Sequence, residues 1–233
     1  IFLMANPNPE TKTDVISDYI QKLPPNVIEL KMRSLNPLFT VLRNKNTSNK
    51  DYIFYADRIC RLLSEEGLAY LSTEMITIET PCGTCKGYKP IDTKNLCAVS
   101  IVRSGDILME ALRQIAPGIS VGKILIQRQE HLAAKTPKHY YTKLPKNIKK
   151  MKVLLCDPML GTGGSSTTAL KILIDNGCKQ ENILFLNVVS CPEGIKRLYK
   201  EYPKVTIITC KVDPKMNDDK YIVPGVGDFG DRY

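Results

Sequence analysis

A run of small and hydroxyl-bearing residues, Gly161-Thr-Gly-Gly-Ser-Ser-Thr-Thr168, follows an acidic turn in this chain of 233 residues. Just upstream, Val153–Cys156 reads as a buried strand that ends at Asp157. Pro158, Met159 and Leu160 join the acid to the glycines, and a helix begins near Ser165. Free N–H groups at a helix N-terminus, backed by aligned peptide dipoles, hold anions. Gly161, Gly163 and Gly164 let the main chain approach a phosphate closely, while Thr162, Ser165 and Ser166 add hydroxyl donors. The Walker pattern G-x-x-x-x-G-K-[ST] is absent, and so is G-x-G-x-x-G with a later ribose-binding acid. An acid beside a phosphate cradle suits a phosphorylated sugar. Asp157 would accept from ribose hydroxyls and the loop would hold the 5-phosphate. An ordinary strand-to-helix turn accounts for the acid but not for the clustered glycines.

Two arginines stand at the ends of other apolar runs. Arg103 follows Leu96–Val102, and Arg128 follows Val121–Gln127. Arginine can clamp phosphate oxygens with two parallel N–H donors. The Ser104-Gly105 that follows Arg103 favours an anion site there over a surface ion pair. His131 and His139 are given no role, because a lone loop histidine is most often a bystander.

The elements that must position these residues alternate in type. Asp51–Leu71 repeats apolar residues at helical spacing. Met75–Thr80 and Gly87–Ile91 flank a Pro-Cys-Gly-Thr turn and read as a hairpin. Leu96–Val102 is a strand. A helix capped by Ser104 runs through Ile115 and is stopped by Pro117-Gly118. Val121–Gln127 is a strand, and residues 129–150 read as a long polar loop that closes over the site. Then come strand Lys152–Cys156, helix Ser165–Asn176 ended by Gly177, strand Ile183–Val189, helix Pro192–Tyr202 and strand Val205–Val212. Val27–Leu30 adds a short strand. This alternation predicts an α/β fold with a mainly parallel twisted sheet flanked by helices, plus a β-hairpin extension. Residues 1–26, rich in Asn, Pro, Thr and Lys, read as a flexible N-terminal arm, and residues 27–233 as one domain. The chain does not begin with Met and stops at Gly230–Tyr233, so residues are expected to be missing at both ends.

Composition narrows the function classes. No apolar run approaches the roughly 20 residues that span a bilayer, so no membrane partner is expected. Eight scattered cysteines read as reduced, mostly buried thiols of a cytoplasmic protein. Cys82 and Cys85 form a C-x-x-C without a second pair or a suitably spaced His, so a hairpin turn is favoured over zinc. The formal net charge of +9 favours anionic partners. The basic residues are dispersed and lack interleaved aromatics, which argues against nucleic acid.

Together these blocks resemble the uracil phosphoribosyltransferases. Asp157-Pro-Met-Leu-Gly-Thr-Gly-Gly-Ser165 is similar to that family's phosphoribosyl diphosphate signature, with Gly161 where the family pattern has Ala. Ile222-Val-Pro-Gly-Val-Gly-Asp-Phe-Gly-Asp-Arg-Tyr233 resembles its uracil-binding segment. Val99–Gly105, Val121–Arg128, Phe54–Arg58 and Glu201–Val205 match further blocks, so the likeness runs from about Val27 onward. After Arg128 the family more often has Asp-Glu, where this chain has Gln129-Glu130.

The resemblance implies a type I phosphoribosyltransferase fold and the conversion of uracil and phosphoribosyl diphosphate to UMP and pyrophosphate, in pyrimidine salvage. It implies diphosphate contacts from Arg103 and Arg128. Main-chain groups of Ile222, Gly227 and Phe229 would read uracil, and Asp228 would face the ribose and the uracil N1. Catalysis would rest on Arg103, Arg128 and Asp228. No protein metal site is expected, because Mg²⁺ comes with the diphosphate. Homodimers or homotetramers are implied. GTP activates some members of the family. Lys31, Arg33 and Arg43 are available to a regulatory nucleotide, or are solvated helix residues. The alternatives are an inactive homologue or an RNA-binding regulator on the same fold.

Overall fold

The computed structural model describes residues 23–72, 74–128 and 137–233, apart from the Arg128 side chain. In chain order the elements are β1 (Val27–Glu29), α1 (Leu35–Arg43), α2 (Asn49–Leu71), β2 (Met75–Thr80), β3 (Gly83–Tyr88), β4 (Leu96–Val102), α3 (Gly105–Ile115), β5 (Ser120–Arg128) and β6 (Pro137–Lys143). They continue with β7 (Lys152–Cys156), β8 (Met159–Leu160), α4 (Gly164–Asp175), β9 (Ile183–Ser190), α5 (Pro192–Glu201), β10 (Thr206–Val212), β11 (Lys215–Met216), β12 (Ile222–Val223) and α6 (Phe229–Arg232).

The main sheet runs β1-β10-β9-β7-β4-β5-β6, with β8 extending the pairing of β9. Its pairs are parallel except β5 with β6. Strands covered on both faces read as near-continuous apolar runs. β9 is buried throughout, and β4 is buried from Leu96 to Ile101. The period of two then sorts each strand between two cores. Leu96 and Ala98 of β4 join Leu154, Leu184 and Leu186 under α1, α2 and α3. Cys97, Val99 and Ile101 join Val153, Leu155 and Phe185 under α4 and α5.

Local signals set the helix ends. The Ser48 hydroxyl accepts from the Asp51 N–H at 3.1 Å and opens α2. Gly177, at φ 87°, ends α4 with the paired bonds Cys178 N–H to Leu173 O and Gly177 N–H to Ile174 O. Ser104 does not cap α3 as expected: it has helical backbone angles and makes no side-chain cap bond.

Two further expectations are corrected, and one element is added. The second hairpin strand is Gly83–Tyr88, pairing from Thr80–Gly83 outward, so the turn is only Pro81-Cys82. The segment 129–150 is not one loop. Residues 129–136 lie outside the described residues, but Pro137–Lys143 forms an antiparallel edge strand on β5. An edge tolerates its leading Pro and its lysines. Helix α1 is missing from the element order read from the sequence. Pro37 falls in the first turn, where its missing N–H goes unused. Leu35, Leu38, Phe39 and Leu42, at helical spacing, are all buried. At the N-terminal side, Leu23 already packs on the core and Asn26 donates to the Val205 carbonyl.

All eight cysteines are unpaired, and only Cys82 and Cys85, at the hairpin tip, are exposed. Burial pushes Cys97 and Cys191 up to about 12 and drives Cys60, Cys156 and Cys210 upward too. A raised pKa keeps these thiols protonated at neutral pH, and the thiolate is the reactive form. Native protein at pH 7.5 is therefore expected to take up two maleimide equivalents per chain, and denatured protein eight. Rapid labelling of more than two thiols in native protein would contradict this burial.

Candidate active site

The parallel register brings Arg103 and Asp157 to one edge of the sheet. Ser100 of β4 pairs with Cys156 of β7, so the loops after both strands emerge side by side. Arg128 ends β5, whose Leu125 pairs with Val102; its side chain lies outside the described residues. In open α/β sheets this carboxyl edge is where ligands bind. The Val102–Arg103 peptide bond is cis.

The loop after Asp157 is held from beneath. Asn187 donates to the Asp157 carbonyl at 2.6 Å, and the Val188 and Val189 N–H groups both donate to the Pro158 carbonyl at 2.9 Å. The Cys191 N–H and thiol donate to the carbonyls of Leu160 and Gly161. The carbonyls of this loop are thus taken up by β9 and the start of α5. Gly163 caps α4 at φ 75° without a side-chain bond. A Cβ there would meet Leu198 at 3.0 Å, which shows how tightly α5 underlies the loop. At Gly161 a Cβ would meet nothing nearer than Met216 at 3.5 Å, so the Ala of the family pattern fits this backbone.

Opposite this loop lies the segment from Ile222 to Phe229. It contains a cis Val223–Pro224 bond, and Gly225 and Gly227 have φ of 60° and 76°. The Asp228 carboxylate accepts from the Asp231 N–H at 3.0 Å and so caps α6. Between the two walls stands a cleft of about 720 Å³.

Of the residues singled out in the sequence, Arg103, Asp157, Met159, Gly161, Ser165, Ile222, Gly227, Asp228 and Phe229 line this cleft. Pro158, Leu160, Thr162, Gly163 and Gly164 do not; Leu160 is fully buried beneath it. Asp157 is buried, with Ser104 Oγ and the Met159 N–H at 3.5 and 3.4 Å from its Oδ1. Sequence reading passed over Asp219, Lys220 and Tyr221, which also line the cleft. It also passed over Asp231, whose carboxylate forms an exposed ion pair with Arg103. Among the described residues no three His, Cys, Asp or Glu side chains are grouped to hold a metal ion, and no helix is long and apolar enough to cross a membrane.

Residues 30–233 match the family model described as uracil phosphoribosyltransferase. The chain belongs to the uracil phosphoribosyltransferase family. It is 48% identical over 211 residues to the uracil phosphoribosyltransferase of Dictyostelium discoideum, covering 90% of this chain and 96% of that one. It is 46% identical over 197 residues to the Saccharomyces cerevisiae uracil phosphoribosyltransferase, covering 84% and 89%. Among solved structures, an Aquifex aeolicus protein matches with a TM-score of 0.76 and 28% identity, over 88% of this chain and 96% of that one. As a uracil phosphoribosyltransferase family member, the chain has the expected α/β architecture: a mainly parallel sheet flanked by helices.

The positions of Lys31, Arg33 and Arg43 are now distinct. Lys31 and Arg33 are exposed before α1. Arg43 is neither a solvated helix residue nor an open anion site, because its guanidinium donates to both Asp213 carboxylate oxygens and to the Gly225 carbonyl.

Proposed function

We propose that this chain transfers the phosphoribosyl group of 5-phosphoribosyl diphosphate to N1 of uracil, releasing pyrophosphate. One observation carries the reading. The Gly-rich loop that suits a ribose phosphate and the segment that suits a neutral base face each other across a single cleft, with Arg103 beside them. Family membership and relatives named for this activity support it.

Asp157 accepts from the ribose hydroxyls. The main chain at Gly161 and Ser165, the members of the Gly-rich run that line the cleft, and the Ser165 hydroxyl hold the 5-phosphate. Arg103 and Arg128 neutralise the diphosphate as it leaves, joined by Mg²⁺ that arrives with the substrate. Uracil is the nucleophile, so the protein need only orient it and keep water from ribose C1. The main chain of Ile222 and Phe229 donates to the base and that of Gly227 accepts from it. A base with the opposite donor pattern leaves buried groups unpaired. Asp228 takes the side of uracil N1, with one carboxylate oxygen already engaged as a cap.

The chain is proposed to work as a homodimer or homotetramer. Its projecting hairpin supports this, since Met75, Ile78 and Tyr88 are exposed there. Unpaired thiols suit a cytoplasmic setting. Activation by GTP would fall to Lys31 and Arg33, because Arg43 is engaged elsewhere.

The test mixes the protein with phosphoribosyl diphosphate, Mg²⁺ and uracil, cytosine or hypoxanthine, and measures pyrophosphate release. Release with uracil alone is expected. Release with hypoxanthine would overturn the base assignment, and no release with any base, with and without GTP, would overturn the activity.

A further inference from the structure

The base-facing segment reads its ligand with main-chain atoms, so its backbone must be held in place by something else. Gly225 sits at its centre, between Ile222 and Gly227. The Gly225 N–H donates to Asp213 Oδ2 at 2.8 Å, and its carbonyl accepts from Arg43 at 2.8 Å. The same two side chains bind each other, with Arg43 donating to Asp213 Oδ1 at 2.7 Å and to Oδ2 at 2.8 Å. One ion pair therefore grips both polar groups of one peptide residue.

Both partners are fixed from behind. Asp213 is 4% exposed and directly follows β10, its N–H donating to the Ser190 carbonyl of β9. Arg43 ends α1 and lies over the Phe39 ring of the same helix, 5.2 Å from its centroid. Bidentate arginine–carboxylate geometry fixes direction as well as distance. Only glycine fits at this point, because a Cβ there would collide with the Ile222 carbonyl and φ is 60°.

We infer that Arg43 and Asp213 are positioning residues for base recognition, setting the register of the Ile222–Phe229 backbone without touching the base. This rests on the reading of that segment as the uracil site. The pair belongs to the wall across the cleft from the phosphate loop, and of that wall only Asp228 is expected to face the ribose, so its loss acts chiefly on the base.

The experiment measures KM for uracil and for phosphoribosyl diphosphate, and the thermal midpoint, in wild type, Arg43→Lys, Arg43→Gln and the control Arg113→Gln. Arg113 forms an exposed ion pair with Glu110 on α3, and its loss should leave both constants unchanged. In Arg43→Gln the uracil KM is expected to rise about tenfold to hundredfold, as for a small misplacement of reacting groups. The KM for phosphoribosyl diphosphate should stay within about twofold. Lysine keeps the charge but not the fork, so Arg43→Lys should fall between wild type and Arg43→Gln.

If the midpoint falls while the uracil KM of Arg43→Lys stays at wild type, the pair is merely structural and the inference fails. It fails equally if both KM values rise together. If Arg43→Gln does not fold, the uracil KM of Arg43→Lys decides between a positioning and a structural role. A wild-type protein that ignores uracil in this assay sinks the uracil reading itself, and the inference with it.

Discussion

Replacing Asp157 by Asn is expected to lower kcat/KM for phosphoribosyl diphosphate by about 10²–10⁴-fold while leaving the fold in place. The substitution is nearly isosteric, and the main-chain bonds of residue 157, to Leu186 and from Asn187, survive it. The amide oxygen can still accept from Ser104 and Met159. What disappears is the negative charge and half of the acceptor capacity toward the ribose. Hydrogen bonds to a charged group contribute about 1.5–3 kcal/mol each. Two ribose hydroxyls then account for roughly 3–6 kcal/mol, and about 1.4 kcal/mol is tenfold. Steady-state kinetics with varied phosphoribosyl diphosphate, beside a melting curve, checks this. A kcat/KM within threefold of wild type would remove Asp157 from ribose binding.

The second large effect comes from a residue that lines no part of the cleft. A Cβ on Gly194 of α5 would run into the Gly161 carbonyl and reach Leu160 side-chain atoms at 2.9 Å. Gly194→Ala must therefore lift the phosphate loop or displace α5. Overpacking of this kind costs about 1–3 kcal/mol, which for a chain of this size lowers the midpoint by roughly 2–10 °C. Gly161 lies next to Met216 and Ile222, so there is little room for it to shift. A shift of about 1 Å in a positioning element lowers rates about 10²-fold. Gly161→Ala is expected to leave activity nearly unchanged, since its Cβ meets only ordinary contacts, and so is Gly87→Ala, whose Cβ meets nothing. A stable, fully active Gly194→Ala would show that α5 does not hold the loop.

Much of this was legible in the residues. β4 and β7 end where their apolar runs end, because strands buried on both faces write their length into hydrophobicity. The Gly-rich loop after Asp157 was visible as a candidate anion site because close approach to an anion demands glycine. Legibility failed where tertiary context overrides local preference. Residues 31–50 were assigned no element, although Leu35, Leu38, Phe39 and Leu42 stand at helical spacing and Pro37 falls in the one turn that tolerates it. The polar strand Pro137–Lys143 looked like a loop because only one of its edges is paired. Ser104 looked like a cap because a serine before a helix usually is one. The grip of Arg43 and Asp213 on Gly225 leaves no local mark, since Arg43 lies 170 positions from Asp213, and Asp213 lies 12 from Gly225.

That distance bears on how the site is born. Besides Arg43, Arg232 donates to the carbonyls of Leu42 and Asn44, and Tyr233 donates to the Asp57 carboxylate at 2.8 Å. The base wall is thus pinned to the first two helices by contacts spanning 176 to 190 positions. Contacts that close such long loops form slowly. On a ribosome, the phosphate cradle, built by residues 152–198, can take shape before residues 213–233 leave the exit tunnel. Nascent chains should pass through a stage in which the Gly-rich loop is formed and the wall it faces is not.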